Sequence, residues 1–339
     1  MPLSIAMSQS QTSDALKLSV VVPCFNEQEV IETLYRRLLA CCETYTAGSY
    51  EVLMIDDGSS DSTWPLIEHI AKQNSHFVGV RLSRNHGHQL ALTAGLKISQ
   101  GERVLIIDAD LQDPPELLGE MMTLMDGGAD VVYGKRTRRH GESSFKKATA
   151  SLFYRTISYM SDVSLPVDVG DFRLMSKQVV EVLNSMPEEY RFVRGMVAWA
   201  GFQQKEVLYE RNARHAGATK YPLRKMIRFA IDAITGFSTF PLRVSTYLAV
   251  VCMIISIVML LYVFYAWAVL DTVPGWASLM TVMLMLSTIQ MYALGIVGEY
   301  IGRTYMQTKR RPLFIVKEIV SNSSMVRAKS DRKMGHKID

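Results

Sequence analysis

The chain has 339 residues, 48% of them hydrophobic and 21% charged, with 37 basic against 33 acidic side chains and a formal charge of +4. That apolar content excludes an intrinsically disordered chain, and so slight an excess of base excludes nucleic acid as the main partner. Cys24, Cys41, Cys42 and Cys252 form no C-x-x-C pair, which argues against both a zinc site and a disulfide framework.

Residues 1–17 lack a basic run followed by an apolar core, so a disordered lead is expected there rather than a secretory signal. A cytoplasmic α/β domain is expected over 18–221. It opens with "KLSVVVPCF", a β-branched run that reads as a buried parallel strand. The helix after it should be capped by Asn26, with Glu29 closing a capping box and Ile31, Leu34, Tyr35, Leu38 and Leu39 forming the apolar stripe. "YEVLMIDDGSSDSTW" is a second strand, an acidic turn and a helix starting near Trp64 and Pro65. "FVGVRLS" is a third strand, "LALTAGLKIS" a helix, "RVLIIDADLQDPPE" a fourth strand with an acidic end, and "ADVVYGKR" a fifth. This alternation predicts a mostly parallel sheet covered on both faces, whose ligands bind outside the carboxyl ends of the strands.

Polar residues collect at those ends. Asn26 and Glu27 follow strand one, Asp56 and Asp57 follow strand two, and Asp108, Asp110 and Gln112 follow strand four. One acidic turn is an ordinary solvated cap, whereas three at successive strand ends point to a site. Neither a G-x-G-x-x-G turn nor a phosphate-binding P-loop occurs, which disfavours dinucleotide oxidoreductases and P-loop nucleotidases. In an extended strand end Asp108 and Asp110 share a side that Gln112 continues. Such an edge suits a hard divalent ion, Mg²⁺ or Mn²⁺, with open positions for diphosphate oxygens. A Ca²⁺ loop is the weaker reading, because "DDGSSDST" lacks the alternating ligands and terminal glutamate of an EF-hand.

Beyond the sheet, residues 222–243 should form an amphipathic helix. Leu223, Met226, Ile227, Ala230, Ile231, Ile234 and Phe237 fall on one arc, opposite Arg224, Lys225, Arg228 and Asp232. It packs on the soluble domain or, as its basic face and Pro241 favour, lies in a lipid interface. Val244–Leu270 and Thr272–Gly298 carry no charged side chain, and either run exceeds the roughly 20 residues a bilayer core requires. Transmembrane helices over 244–270 and 276–300, joined by "DTVPGW", are therefore expected as an antiparallel hairpin. Basic residues flank only the outer ends (Arg224, Lys225, Arg228 and Arg243 before, Arg303, Lys309, Arg310 and Arg311 after), which puts the large domain and both termini in the cytoplasm. Residues 301–339 read as a cytoplasmic segment and a flexible, basic tail that touches anionic lipid.

Four blocks now carry a resemblance. "VVPCFNEQEVI", "DDGSSDST", "RNHGHQLALTAGL" and "DADLQDPPE" resemble the signature blocks of family 2 glycosyltransferases with a GT-A fold. "GATKYPLRKMIRFAIDAITGFSTFPLR" and "GIVGEYIGRTY" resemble the polyprenyl-phosphate branch, and "GESSFKK" with "VDVGDFRLMS" suggests bactoprenol glucosyltransferases of the GtrB type. The likeness runs from about Leu18 to Val320. It implies that Pro23, Phe25, Glu27, Asp56 and Asp57 bind a nucleotide-sugar donor. By the same carry-over Asp110 and Gln112 hold the metal, Asp108 sits close to the donor, and Arg136 handles phosphate. Arg214 and Lys220 would close over the donor, while Lys147, Asp168, Asp171 and Arg173 are weaker candidates for sugar or acceptor contacts. No "QxxRW" occurs, which speaks against a processive synthase, and "HGH" at His86–His88 has no metal-spaced partner nearby in sequence.

The implied reaction is inverting transfer of glucose from UDP-glucose to undecaprenyl phosphate at the inner membrane, with self-association permitted. GDP-mannose or a UDP-modified arabinose is the alternative donor, and a non-catalytic membrane anchor is the distant alternative class.

Overall fold

The structure, a computed structural model, describes residues 16–137, 169–210, 240–269 and 275–322. Four strands, β1 (Leu18–Cys24), β2 (Tyr50–Asp56), β3 (Phe77–Leu82) and β4 (Arg103–Ile106), lie parallel in the spatial order β4-β1-β2-β3. Helices α1 (Ile31–Thr46), α2 (Thr63–Gln73) and α3 (His88–Ile98) connect them. A single 3₁₀ turn, Pro115–Leu117, leads from β4 into α4 (Leu118–Asp126). Alternation along β1 sends Val20 and Val22 into one apolar layer with Leu34, Leu38 and Ile67, and Val21 into the opposite layer with Leu92 and Leu96. Burial on both faces explains the unbroken β-branched runs.

The sheet continues through the expected fifth strand and past it. β5 (Val131–Arg136), β6 (Val169–Ser176), β7 (Gln204–Tyr209) and β8 (Val316–Ser321) extend it to the order β7-β5-β6-β4-β1-β2-β3-β8, with α5 (Lys177–Ser185) and α6 (Val193–Trp199) following β6. β6 is antiparallel to both β4 and β5, so its first residues stand at the same rim as the last residues of β1, β2, β4, β5 and β7. The strand order reverses between β1 and β4, which opens a crevice beside Phe25–Glu27 and Asp108–Gln112.

Three expectations need correction. Asn26 does not cap α1: the N-cap is Val30, and no side chain caps it. Instead Asn26 takes φ 54°, its Oδ1 accepts from Ser60 N at 2.9 Å, and the Glu27 carbonyl starts the helix by accepting from Val30 N and Ile31 N. The segment between hairpin and tail, read without an element of its own, forms β8 (Val316–Ser321), which pairs antiparallel with β3 as an edge strand. Ser83 N donating to the Ile315 carbonyl and Asn322 N to the Ala71 carbonyl extend that docking, and Val316, Ile319 and Val320 pack on the core. The hairpin boundaries also shift: α7 spans Phe240–Val269 and α8 spans Trp276–Thr308, so helix takes in the last residues assigned to the amphipathic segment and runs past 300 to the Lys309–Pro312 breaker.

α7 and α8 pack on each other, with Ile254, Leu261, Met285 and Leu294 exposed. Among the described residues, no helix is long and apolar enough to cross a membrane. The Arg303 guanidinium of α8 stacks 4.6 Å above the Tyr190 ring and so joins hairpin to sheet domain. Residues 1–15, and 222–239 of the amphipathic segment, lie outside the described residues.

Candidate active site

The first half of the rim is built by turns that lock one another. Asp56 is fully buried at the end of β2; its Oδ1 accepts from Ser59 N at 3.1 Å and its Oδ2 lies 3.5 Å from Arg81 Nε. Asp57 accepts from His86 N at 2.7 Å and Gly87 N at 2.9 Å, so its carboxylate anchors the loop after β3. Burial raises the Asp57 carboxyl, against the pull of those two amides. Gly58 (φ 71°) permits the close approach: a Cβ there would lie 2.6 Å from the Arg84 and Asn85 backbone. Pro23 is buried opposite Ile55, whereas Phe25 stays 38% exposed and Glu27 half-buried at the crevice.

After β4 the chain turns through Leu111, whose φ of 60° is strained for a branched side chain. The turn brings Gln112 N back to Asp110 Oδ1 at 3.2 Å and leaves both side chains buried at the rim. Asp108 is a quarter exposed, yet its Oδ1 is buried without a hydrogen-bond donor and lies 3.6 Å from His88 Nε2. Burial pushes the Asp108 carboxyl up to about 6; His88 opposes that, and Asp171, Asp113 and Asp110 add to it.

The second half of the rim assembles from distant segments. Asp171 of β6 accepts from His88 Nε2 at 3.0 Å and Gln89 Nε2 at 3.1 Å, and pairs with Arg194 Nε at 3.0 Å. Burial alone would raise its carboxyl, but Arg194 and His88 hold it well below the usual range. Burial would likewise lower His88, but the Asp171 hydrogen bond and the Asp108 charge carry it up to about 9, so the ring is cationic at neutral pH. Gln89 Oε1 accepts from Val193 N and Arg194 Nη1 donates to the Val169 carbonyl, fastening α3 and α6 to the start of β6. Arg173, also buried, donates to the Gly170 and Asp171 carbonyls, and burial lowers it to about 10.

The structure therefore brings Phe25, Glu27, Asp56, Asp57, Asp108, Asp110, Gln112, Arg136, Asp171 and Arg173 to one rim. Lys147, Asp168, Arg214 and Lys220 lie outside the described residues. Sequence reading missed His88, Gln89 and Arg194. His86–His88 is conspicuous in sequence, but its carboxylate partner lies 83 positions away.

Comparison with known proteins identifies the family. A model of "Glycosyl transferase family 2" matches residues 19–183, and the chain is 43% identical over 304 residues to the uncharacterized glycosyltransferase YkcC of Bacillus subtilis, covering 89% of this chain and 94% of that one. The chain belongs to glycosyl transferase family 2. This glycosyltransferase also matches the "GtrB C-terminal hairpin" over residues 240–304, the segment that contains α7 and most of α8. It is 39% identical over 310 residues to a prophage bactoprenol glucosyl transferase homolog of Escherichia coli, covering 90% of this chain and 99% of the relative. Identity to a bactoprenol glucosyl transferase of Shigella phage SfX is 38% over 308 residues, covering 89% and 99%. Solved structures align loosely: mannosyl-3-phosphoglycerate synthase from Rubrobacter xylanophilus gives a TM-score of 0.43 at 19% identity over 65% of this chain and 72% of that one. Membership of the family makes the chain an enzyme rather than a bare anchor, with a mostly parallel GT-A-like sheet as expected.

Proposed function

We propose that this glycosyltransferase transfers glucose from UDP-glucose to undecaprenyl phosphate, with inversion at the anomeric carbon, to make a β-linked polyprenyl-phosphate sugar on the cytoplasmic leaflet of the inner membrane. One combination carries the reading: a carboxylate-lined rim and a C-terminal hairpin occur together in a chain 38% identical, over almost its whole length, to a bactoprenol glucosyl transferase. The membrane assignment draws on the uncharged runs Val244–Leu270 and Thr272–Gly298, and on the exposed apolar side chains of α7 and α8. Basic residues at the outer ends of the hairpin support a cytoplasmic catalytic domain.

The acceptor sets what the site must do. A phosphate monoester has its second pKa at about 6, so at neutral pH its oxygen is a competent nucleophile without a strong general base. The sheet's residues then have two tasks, to orient the donor and to stabilise the departing diphosphate. Phe25, Glu27 and Asp56 border the crevice on the donor side, and Arg136 and His88 supply positive charge at the rim. Arg214 and Lys220 close over the donor in this reading, and Lys147, Asp168, Asp171 and Arg173 stand toward sugar or acceptor.

Mg²⁺ or Mn²⁺ fits the acidic turn. Among the described residues no three His, Cys, Asp or Glu side chains form a cation cage; in this reading Asp110 and Gln112, both buried at the rim, would hold an ion whose other ligands come from diphosphate and water. The buried Asp108 Oδ1, lacking a hydrogen-bond donor, marks negative charge that such an ion offsets. Bound there, the ion supplies Lewis-acid neutralisation of the diphosphate.

The test is transfer from radiolabelled UDP-glucose to undecaprenyl phosphate by detergent-purified protein, with and without EDTA. The expected product is an acid-labile glycolipid whose formation needs the metal. Transfer from GDP-mannose or a UDP-arabinose derivative instead would overturn the sugar, and absence of transfer from any donor would overturn the lipid-acceptor reading.

A further inference from the structure

Tyr209, the last residue of β7, is a buried tyrosine whose hydroxyl joins two parts of the rim that the sequence keeps far apart. Its ring sits edge-on to Phe172 at 5.8 Å and against Gly134, where a Cβ would come within 2.7 Å of Tyr209 Cε1. Its carbonyl accepts from Thr137 N at 3.0 Å and Thr137 Oγ1 at 3.2 Å, so both ends of the residue are fixed. The hydroxyl donates to Asp113 Oδ1 and accepts from Arg136 Nε at 3.3 Å. Asp113 closes the same acidic turn that contains Asp108 and Asp110. Arg136 Nη2 lies over Gly170, where a Cβ would be only 2.6 Å away, so the guanidinium occupies a space that β6 leaves open for it.

We infer that Tyr209 is a positioning residue for the transfer reaction: its hydroxyl ties Asp113 to Arg136 and fixes where the Arg136 charge stands relative to Asp108 and Asp110. The inference rests on the reading that Arg136 meets a phosphate group. An unrestrained arginine side chain carries substantial rotamer entropy, and a charge that must be gathered in during reaction stabilises the transition state less than one already in place. Burial works against the Arg136 charge, and the Tyr209 hydroxyl with Asp113 and Asp108 behind it restores it. Phenylalanine at 209 would keep the packing on Phe172 and Gly134 but break both hydrogen bonds.

The experiment uses the full-length protein in detergent, with UDP-glucose and undecaprenyl phosphate. Tyr209→Phe should lower kcat roughly ten-fold or more while KM for UDP-glucose changes less than about two-fold, the pattern of an interaction realised in the transition state. Combining Tyr209→Phe with Arg136→Met should cost no more than Arg136→Met alone, because the bridge acts through that guanidinium. Asp113→Asn, which keeps Oδ1 as an acceptor, should retain most activity, whereas Asp113→Ala should resemble Tyr209→Phe. A wild-type kcat in Tyr209→Phe, or losses that add in the double variant, would overturn the inference. If the wild-type protein transfers glucose to no lipid, the polyprenyl reading fails by itself. The same variants are then scored on release of UDP to water, where unchanged release by Tyr209→Phe overturns the bridge.

Discussion

The two halves of the rim are made differently. On the β1–β2–β4 side each functional turn is a short contiguous motif, "CFNE", "DDGSS" or "DADLQ"; backbone amides fasten the first two to each other, Asn26 N on Ser59 Oγ and Ser60 N on Asn26 Oδ1, and His86 N and Gly87 N fasten the loop after β3 to Asp57. On the β5–β6–β7 side the groups that meet are single residues from distant elements: His88 with Asp171 and Arg194, and Arg136 with Tyr209 and Asp113. The first half depends on loop conformation and the second on buried charge. Substitutions should therefore cost activity on one side before stability, and stability together with activity on the other.

The sharpest contrast comes from one aspartate on each side. Asp110→Asn removes a buried negative charge at the crevice but keeps the Oδ1 that accepts from Gln112 N, so transfer should fall by about three orders of magnitude or more while thermal unfolding changes little. Near-normal turnover by the purified variant would remove Asp110 from the chemistry. Asp171→Asn should behave in the opposite way. It leaves Arg194 and His88 facing an amide that cannot balance their charge; both are partly exposed, so solvent reduces the cost of a broken buried pair to about 1–3 kcal/mol. Urea titration should show a lower midpoint, and an unchanged midpoint would mean that Asp171 is not the hub of this half.

The same difference decided what could be read from the chain. Strands β1 to β5 and the acidic turns were legible because each lies within one hydrophobic run followed by its own polar end, as in "RVLIIDADLQ". β6 is not legible as a strand, because "VDVGDFRLMS" places Asp171 and Arg173 inside a buried strand, where local pattern predicts apolar residues. β8 is not legible as a strand because "PLFIVKEIVS" pairs with β3 across more than 230 positions of sequence. Asn26 has the sequence of a cap, but its side chain serves a turn that sequence cannot place beside it, at Ser60. His88 needed a carboxylate from β6, a contact that no periodicity encodes.

A subtler substitution tests whether the legible half is also the more rigid one. Gly95 of α3 lies so close to β1 that a Cβ would sit 2.2 Å from Val21 Cγ1 and 3.3 Å from Ile55 Cγ1. Gly95→Ala gains helix propensity but forces helix and sheet apart, a net loss of about 1–3 kcal/mol. The strand ends would shift with it, so donor KM should rise together with the fall in melting temperature. A stabilised variant would show that α3 moves freely on the sheet.

The smallest effect belongs to pH. The His88 ring, ordinarily near 6.5, is carried up to about 9 in the folded protein, so the folded state holds its proton more tightly than the unfolded chain. Its contribution to stability is then fully present below about 6.5 and is lost as pH rises through about 9. Asp108, pushed up to about 6, has largely finished titrating below that window, and the lowered Asp171 titrates far below it. With 38% of the His88 side chain exposed, solvent screens part of the effect, and the melting temperature should fall by only a few degrees between about pH 6.5 and 9.5. His88→Gln keeps a donor toward Asp171 but cannot titrate, so its melting temperature should lie flatter across that window. An equal slope in both proteins would place the titrating group elsewhere and leave the His88–Asp171 pair as a neutral hydrogen bond.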